Sequence, residues 1–305
     1  MNRLIRGVAI SLIAALLVTA EGCGGPEKSN PLAGGGQSGT ITVGSANFPE
    51  NALLAEIYAQ ALRGKGMAVA VKSNIGSREV IYAQLRSGGL TVVPEYNGAL
   101  LLTSVDPSST ASTTAQVNQA LKDKLPASLD ILDSSSAQDK DVLTVTRATA
   151  QTYRLRSIAD LGPHAKDLLV GGPPEFKTRV QGLVGLKSRY GLDFKDFISL
   201  DTQGPITVAS LQRGDIQIAN LTSTDSAIVT NDFVVLDDTQ GLFGVQNVTP
   251  LIYRSGMNPT AIAALNAVSA KLDTDTLAQL DKRVVVDKDS ADTVAADWLK
   301  SVGLG

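Results

Sequence analysis

The chain has 305 residues, with 27 lysines and arginines against 30 aspartates and glutamates, and a formal charge of −3. Both signs are dispersed and no basic run follows the first few residues, which argues against nucleic acid as a partner. Aromatic residues make up only 4% of the chain, so a site that grips a ligand with rings has few available.

The N-terminus reads as an export signal. Arg3 and Arg6 precede an apolar run from Val8 to Val18, and Ala20, Glu21 and Gly22 lead to the single cysteine, Cys23. That run falls short of the roughly 20 residues needed to span a bilayer. Residues 24–39, rich in Gly, Pro and Ser, are too polar to bury a core and are expected to act as a flexible tether. Residues 40–305 exceed what one hydrophobic core usually supports, so two lobes are expected.

From there β-branched runs alternate with helical periodicity, the pattern of crossover units on largely parallel sheets. Ile41–Gly44 predicts a strand, and Pro49 opens a helix whose apolar residues Leu53, Leu54, Ile57, Tyr58, Ala61 and Leu62 recur at three and four. Strands are predicted at 69–71 and 90–93, the latter ended by Pro94, with a helix over 77–87 between them. Helices near 99–103 and 115–125 precede a strand at 142–146. A second set follows, with strands at 168–170, 198–200, 216–219 and 233–236 and helices over 174–190 and 206–213. After a strand at 249–253 the chain is nearly all helix, over 259–272, 275–282 and 290–302, a tail suited to packing back on the first lobe. Lobe 1 is therefore expected to comprise 40–145 plus 251–305, and lobe 2 to comprise 146–250. Crossings near Thr144–Arg147 and Gln246–Leu251 would form the hinge.

Two resemblances sharpen this reading. The residues before Cys23 resemble a bacterial lipobox, which implies cleavage, lipidation of Cys23 and anchoring to the outer face of the cytoplasmic membrane. Ordinary cleavage near Ala20 and release is the alternative. The segments Val43-Gly-Ser-Ala-Asn-Phe-Pro-Glu-Asn51 and Pro94-Glu-Tyr-Asn-Gly98 resemble motifs of substrate-binding proteins of ABC importers for glycine betaine, choline and related osmoprotectants. Gly76-Ser77, Ser157–Leu161, Pro174–Phe176, Gly182–Leu186, Ser223-Thr-Asp225 and Leu236-Asp-Asp238 follow that family's order.

The family resemblance implies an α/β, two-lobed periplasmic-binding-protein type II fold, each lobe a mixed, mostly parallel sheet flanked by helices. It implies capture of a small solute by closure of two lobes and delivery to an ABC permease and, through it, a cytoplasmic ATPase. The protein itself would be a monomer, with no cofactor or metal and no contact with the membrane beyond its lipid anchor. A quaternary ammonium cannot donate hydrogen bonds and must be held against aromatic faces. By resemblance, Tyr96 is the cage residue, Phe48 a second ring, and Asn47, Ser77, Asn97, Thr222 and Thr224 polar contacts. Each has a bland reading as a core aromatic, helix staple or cap.

A non-quaternary polar, polyhydroxylated or aromatic solute remains open, because no tyrosine precedes the Ser223-Thr-Asp225 segment. So does a surface lipoprotein without transport. An enzyme on this fold is poorly served: porphobilinogen deaminases need a cysteine in the folded body, and the one histidine, His164, sits in a Gly-Pro loop. Asp237-Asp238 and the Asp287, Asp289 pair read as turns or caps, and no phosphate-binding loop is present.

Overall fold

The computed structural model describes residues 39–202 and 204–305; Cys23, the expected export signal and nearly all of the expected tether lie outside the described residues. The first lobe begins β1 (Ile41–Gly44), α1 (Pro49–Arg63), β2 (Val69–Lys72), α2 (Arg78–Arg86), β3 (Val92–Tyr96) and α3 (Asn97–Leu100). It continues through a π-type turn at Leu101–Val105 to α4 (Thr114–Lys124) and β4 (Leu129–Ile131). The second lobe comprises β5 (Asp141–Thr146), α5 (Arg147–Tyr153), β6 (Leu169–Gly172), α6 (Leu183–Tyr190), β7 (Asp196–Ser199), α7 (Pro205–Arg213), β8 (Ile218–Thr222), α8 (Ser226–Thr230) and β9 (Phe233–Val235). The chain then returns to the first lobe as β10 (Val248–Tyr253), α9 (Pro259–Ser269), α10 (Thr274–Val285) and α11 (Ala291–Ser301).

Each lobe is built on a five-stranded sheet, ordered β2-β1-β3-β10-β4 in the first and β7-β6-β8-β5-β9 in the second. β10 runs antiparallel to both β3 and β4, and β5 runs antiparallel to both β8 and β9. Four strands of each sheet therefore point one way, and the reversed strand is the one that arrives from the other lobe. The mixed, mostly parallel architecture expected from the sequence is what the chain adopts.

Side-chain alternation along the strands supplies the two faces of the first sheet. Val92, Tyr96, Val248 and Ile252 join the core shared with α1 and the C-terminal helices, including Leu265, Leu277, Val294 and Trp298. Val93 and Leu251 point the other way, onto Ile81, Leu85, Val117 and Leu121 of α2 and α4. The C-terminal helical tail thus packs on α1, in the first lobe to which it was expected to return.

The structure departs from the sequence reading at five places. β5 belongs to the second sheet, so the first crossing lies between β4 and β5, in residues 132–140, ahead of the expected Thr144–Arg147. β10 is in the first sheet from Val248, so Val248–Pro250 belong to lobe 1. A β-branched run marks a strand but carries nothing about which sheet will pair with it.

Pro94 does not end its strand. It lies opposite Pro250 across the β3–β10 ladder. The Pro250 carbonyl points away from β3 to accept from the Leu132 N–H, and the Pro94 carbonyl points away from β10 to accept from the Asn51 side chain. The two prolines meet at a position where neither ring nitrogen is asked for a ladder bond.

The predicted helix over 174–190 is broken into a 3₁₀ turn at Pro174–Lys177 and α6. Gly182 passes so close to Phe176 that a Cβ would lie 1.9 Å from the Phe176 carbonyl oxygen, a packing that a continuous helix does not permit. Finally, β4 is a three-residue strand too short to register as a pattern.

Candidate functional site

A cleft enclosing about 750 Å³ of space, part of it open to solvent, lies between the lobes. It lies beyond the carboxyl ends of the parallel strands, where open α/β sheets bind ligands. The turn after β1, the end of β3 and the start of α2 supply the first lobe's wall. The loops after β6 and β7 and the end of β8 supply the second, and both crossings contribute to the lining through Asp139 and Gln246.

The turn from β1 into α1 is held by Asn51, a residue the sequence reading passed over. Its Oδ1 accepts from the Ala46 N–H at 2.7 Å while its Nδ2 donates to the Pro94 carbonyl at 3.0 Å. This braces Asn47 and Phe48 against β3. The Phe48 and Tyr96 rings then stack with centroids 6.2 Å apart and planes 28° from parallel, both lining the cleft.

Charge is arranged around these rings. Arg78, at the first position of α2, donates from Nε to both oxygens of buried Glu95 at 2.9 and 3.1 Å. Burial works against the Arg78 charge, but Glu95 outweighs it and holds the guanidinium more firmly protonated than usual. Arg179 of the second lobe makes a two-pronged pair with Glu79 of the first at 3.1 Å each, bridging the lobes. Partial burial opposes the Glu79 charge, yet Arg179 and Ser77 bring its pKa down to about 2. Asp139, Asp141 and Glu175 also line the cleft, and none of the three is in an ion pair among the described residues. The Asp141 Oδ1 accepts from Asn220 Nδ2 at 3.1 Å.

Of the residues singled out from sequence, Asn47, Phe48, Ser77, Tyr96 and Thr222 line the cleft. Ser77 also sits at the N-cap of α2, without a capping hydrogen bond from its side chain. Asn97 and Thr224 do not line it. Asn97 is fully buried: its Nδ2 donates to Asn118, and its Oδ1 accepts from the Gly98 and Asn247 N–H groups at 2.8 Å each. It secures the second crossing to β3, so its amide is engaged by the protein. Thr224 donates and accepts within a buried group beneath the cleft, described below. Arg78, Glu95, Asp139, Asp141, Glu175 and Arg179 are the charged cleft residues that sequence reading missed. Isolated charges in loops, first turns and strand ends carry no periodic signal, and only the packing brings them to one cleft.

Beneath the cleft, Asp281 of α10 is 5% exposed. Burial, then the charges of Asp225 and Asp139, push its pKa up to about 7. A raised carboxylate pKa means that the folded state binds the proton more tightly, so this contribution to stability is complete below about pH 4 and lost as pH rises to 7. Asp281→Asn should therefore stabilise the fold at pH 8, by on the order of 2–4 kcal/mol, and give no gain at pH 4. Thermal unfolding at the two pH values measures this, and equal melting shifts at both would refute it.

The family model "Substrate binding domain of ABC-type glycine betaine transport system" matches residues 39–301. The glycine betaine-binding protein YehZ of Escherichia coli is 29% identical over 276 residues, covering 86% of this chain and 90% of that protein. A glycine-betaine-binding protein of Pseudomonas aeruginosa is 25% identical, covering 98% and 95%. The crystal structure of a glycine betaine/carnitine/choline ABC transporter component superposes with a TM-score of 0.66 at 21% identity, over 87% of this chain and 99% of that one. At that identity the superposition shows the fold alone.

Proposed function

Since the chain belongs to the family of substrate-binding domains of ABC-type glycine betaine transport systems, we propose that its cleft takes a small quaternary ammonium osmoprotectant such as glycine betaine, choline or carnitine. Proteins of this family are extracytoplasmic receptors that capture a solute and deliver it for import. Delivery here is to an ABC permease powered by a cytoplasmic ATPase, with the monomeric receptor held at the membrane through lipidated Cys23. The capture step needs no covalent chemistry. A solute touching both lobes binds the closed arrangement better than the open one, and that difference drives closure.

The observation that carries the ligand class is the make-up of the cleft wall. Phe48 and Tyr96 offer ring faces, each supporting a cation by roughly 0.5–2 kcal/mol according to desolvation. Around them the two guanidiniums are already paired with Glu95 and Glu79, while Asp139, Asp141 and Glu175 leave the wall net negative. The same surplus of carboxylates over rings favours a second reading, a cation bearing N–H donors such as a guanidinium or primary ammonium.

Titration calorimetry on residues 24–305 separates the two. Saturable binding of glycine betaine, choline or carnitine is expected. Heat from L-arginine or putrescine alone would favour the second reading, and heat from none of the five would overturn the cationic assignment.

A further inference from the structure

We propose that Glu50 and Asp139 share a single proton through the Thr224 hydroxyl, and that this proton ties the two lobes together beneath the cleft. The inference concerns the conformational device and holds whatever solute the cleft accepts.

The geometry demands the proton by counting hydrogens. Thr224 Oγ1 lies 2.6 Å from Glu50 Oε2 and 2.8 Å from Asp139 Oδ1, both hydrogen-bond distances. A threonine hydroxyl carries one hydrogen and can donate to only one of them. With both carboxylates ionised, the other contact would set two oxygen lone pairs face to face in a buried site, where an unmet polar contact is costly. Neighbouring donors do not resolve the conflict. The Tyr96 hydroxyl gives its hydrogen to Glu50 Oε1 at 2.5 Å, and the Thr224 N–H donates to Asp139 Oδ1 at 3.1 Å. One further hydrogen on the pair satisfies every contact. Because Asp139 Oδ1 already accepts from a backbone N–H, the hydrogen is best placed on Glu50 Oε2, running Glu50 O–H to Thr224 O–H to Asp139.

The three groups come from three different parts of the chain. Glu50 is in the first turn of α1 in lobe 1, Asp139 lies in the first crossing, and Thr224 follows β8 in lobe 2. The chain of hydrogen bonds therefore spans the lobes at the hinge, opposite in character to the exposed Arg179–Glu79 pair.

The surroundings keep the proton in place. Glu50, Asp139 and Thr224 are each 5% exposed or less. The groups facing them are the Tyr96 hydroxyl from β3, Asp281 from α10 and, next to Asp281, Asp225 at the N-cap of α8. Among the described residues no lysine or arginine forms an ion pair with Glu50, Asp139, Asp225 or Asp281. Burial and then the Asp281 charge push the Glu50 pKa up to about 8, and burial and then the Glu50 charge raise Asp139. The sign follows: the tied arrangement binds the extra proton, so it is favoured at low pH and lost as pH rises through about 8.

Carboxyl-carbon NMR on ¹³C-labelled protein spanning residues 24–305, titrated from pH 4 to 10, reads the proton directly. Besides Asp281, one carboxyl should titrate with a midpoint above 7 and disappear from that range in Glu50→Gln, whose amide donates the same hydrogen bond to Thr224 permanently. Small-angle scattering on the same samples, without added solute, should show wild-type protein expanding between pH 7 and 9.5 while Glu50→Gln stays compact. Ordinary midpoints below about 5.5 for both Glu50 and Asp139 would overturn the proposal. So would a scattering profile that ignores pH, or one in which Glu50→Gln expands along the wild-type curve.

Discussion

Gly98→Ala should cripple folding. Gly98 is the second residue of α3 and lies under the second crossing, where an added Cβ would stand 1.9 Å from the Val245 carbonyl oxygen and 3.2 Å from its carbonyl carbon. Both colliding atoms are backbone, so no rotamer change relieves them. Neither segment is free to retreat. Asn97 N–H donates to the Asn247 carbonyl at 3.0 Å, and the Asn97 side chain accepts the Asn247 N–H at 2.8 Å. Relief means breaking this buried pairing or displacing the crossing, at a cost of about 3 kcal/mol or more. For a chain of this size that lowers the melting temperature by roughly 6–12 °C. Circular-dichroism melts of wild type and variant decide the matter, and a wild-type melting curve would mean that the crossing does not seat on Gly98.

Tyr96→Ala carries the second large effect, this time on solute capture. The tyrosine is 3% exposed and does two jobs at once: its ring lines the cleft beside Phe48, and its hydroxyl donates to buried Glu50. Truncation removes one of two ring faces, opens a cavity worth about 3–5 kcal/mol of stability, and leaves Glu50 without that donor. Affinity for glycine betaine should drop at least about tenfold, the equivalent of 1.4 kcal/mol. Tyr96→Phe keeps the ring and loses only the donor, so at pH 6 it should bind within a few-fold of wild type. Calorimetry on the three proteins separates ring from hydroxyl. Equal affinities for wild type and Tyr96→Ala would remove the ring from the binding account.

The placement of these residues shows what a one-dimensional reading can reach. Phe48, Tyr96, Asn47, Ser77 and Thr222, named from the family resemblance, stand at strand ends and helix starts, and such junctions in α/β sheets face the cleft they line. Asn97 and Thr224 stand at equally suggestive junctions yet serve the interior. Asn97 is held by Asn118 and Asn247, and Thr224 by Glu50 and Asp139, partners up to 174 positions away in the chain. The direction in which a polar side chain satisfies its hydrogen bonds depends on what is packed beside it, and that information is absent from its own neighbourhood in sequence. The same holds for Pro94, whose place inside β3 depends on another proline opposite it.

Most of the alternation of strands and helices, the helical C-terminal tail and the two-lobed α/β class were determined by the sequence itself. The alternation follows from local periodicity, since apolar residues at spacings of two or of three and four select which face of each element must leave water, and the two lobes follow from a length beyond what one core supports. Only the tertiary structure decided where the chain crosses between lobes, which carboxylates gather at the cleft, and that Glu50, Thr224 and Asp139 meet beneath it. Those features rest on pairings between distant segments, whose energies come from burial and hydrogen-bond geometry that exist only once both lobes have formed.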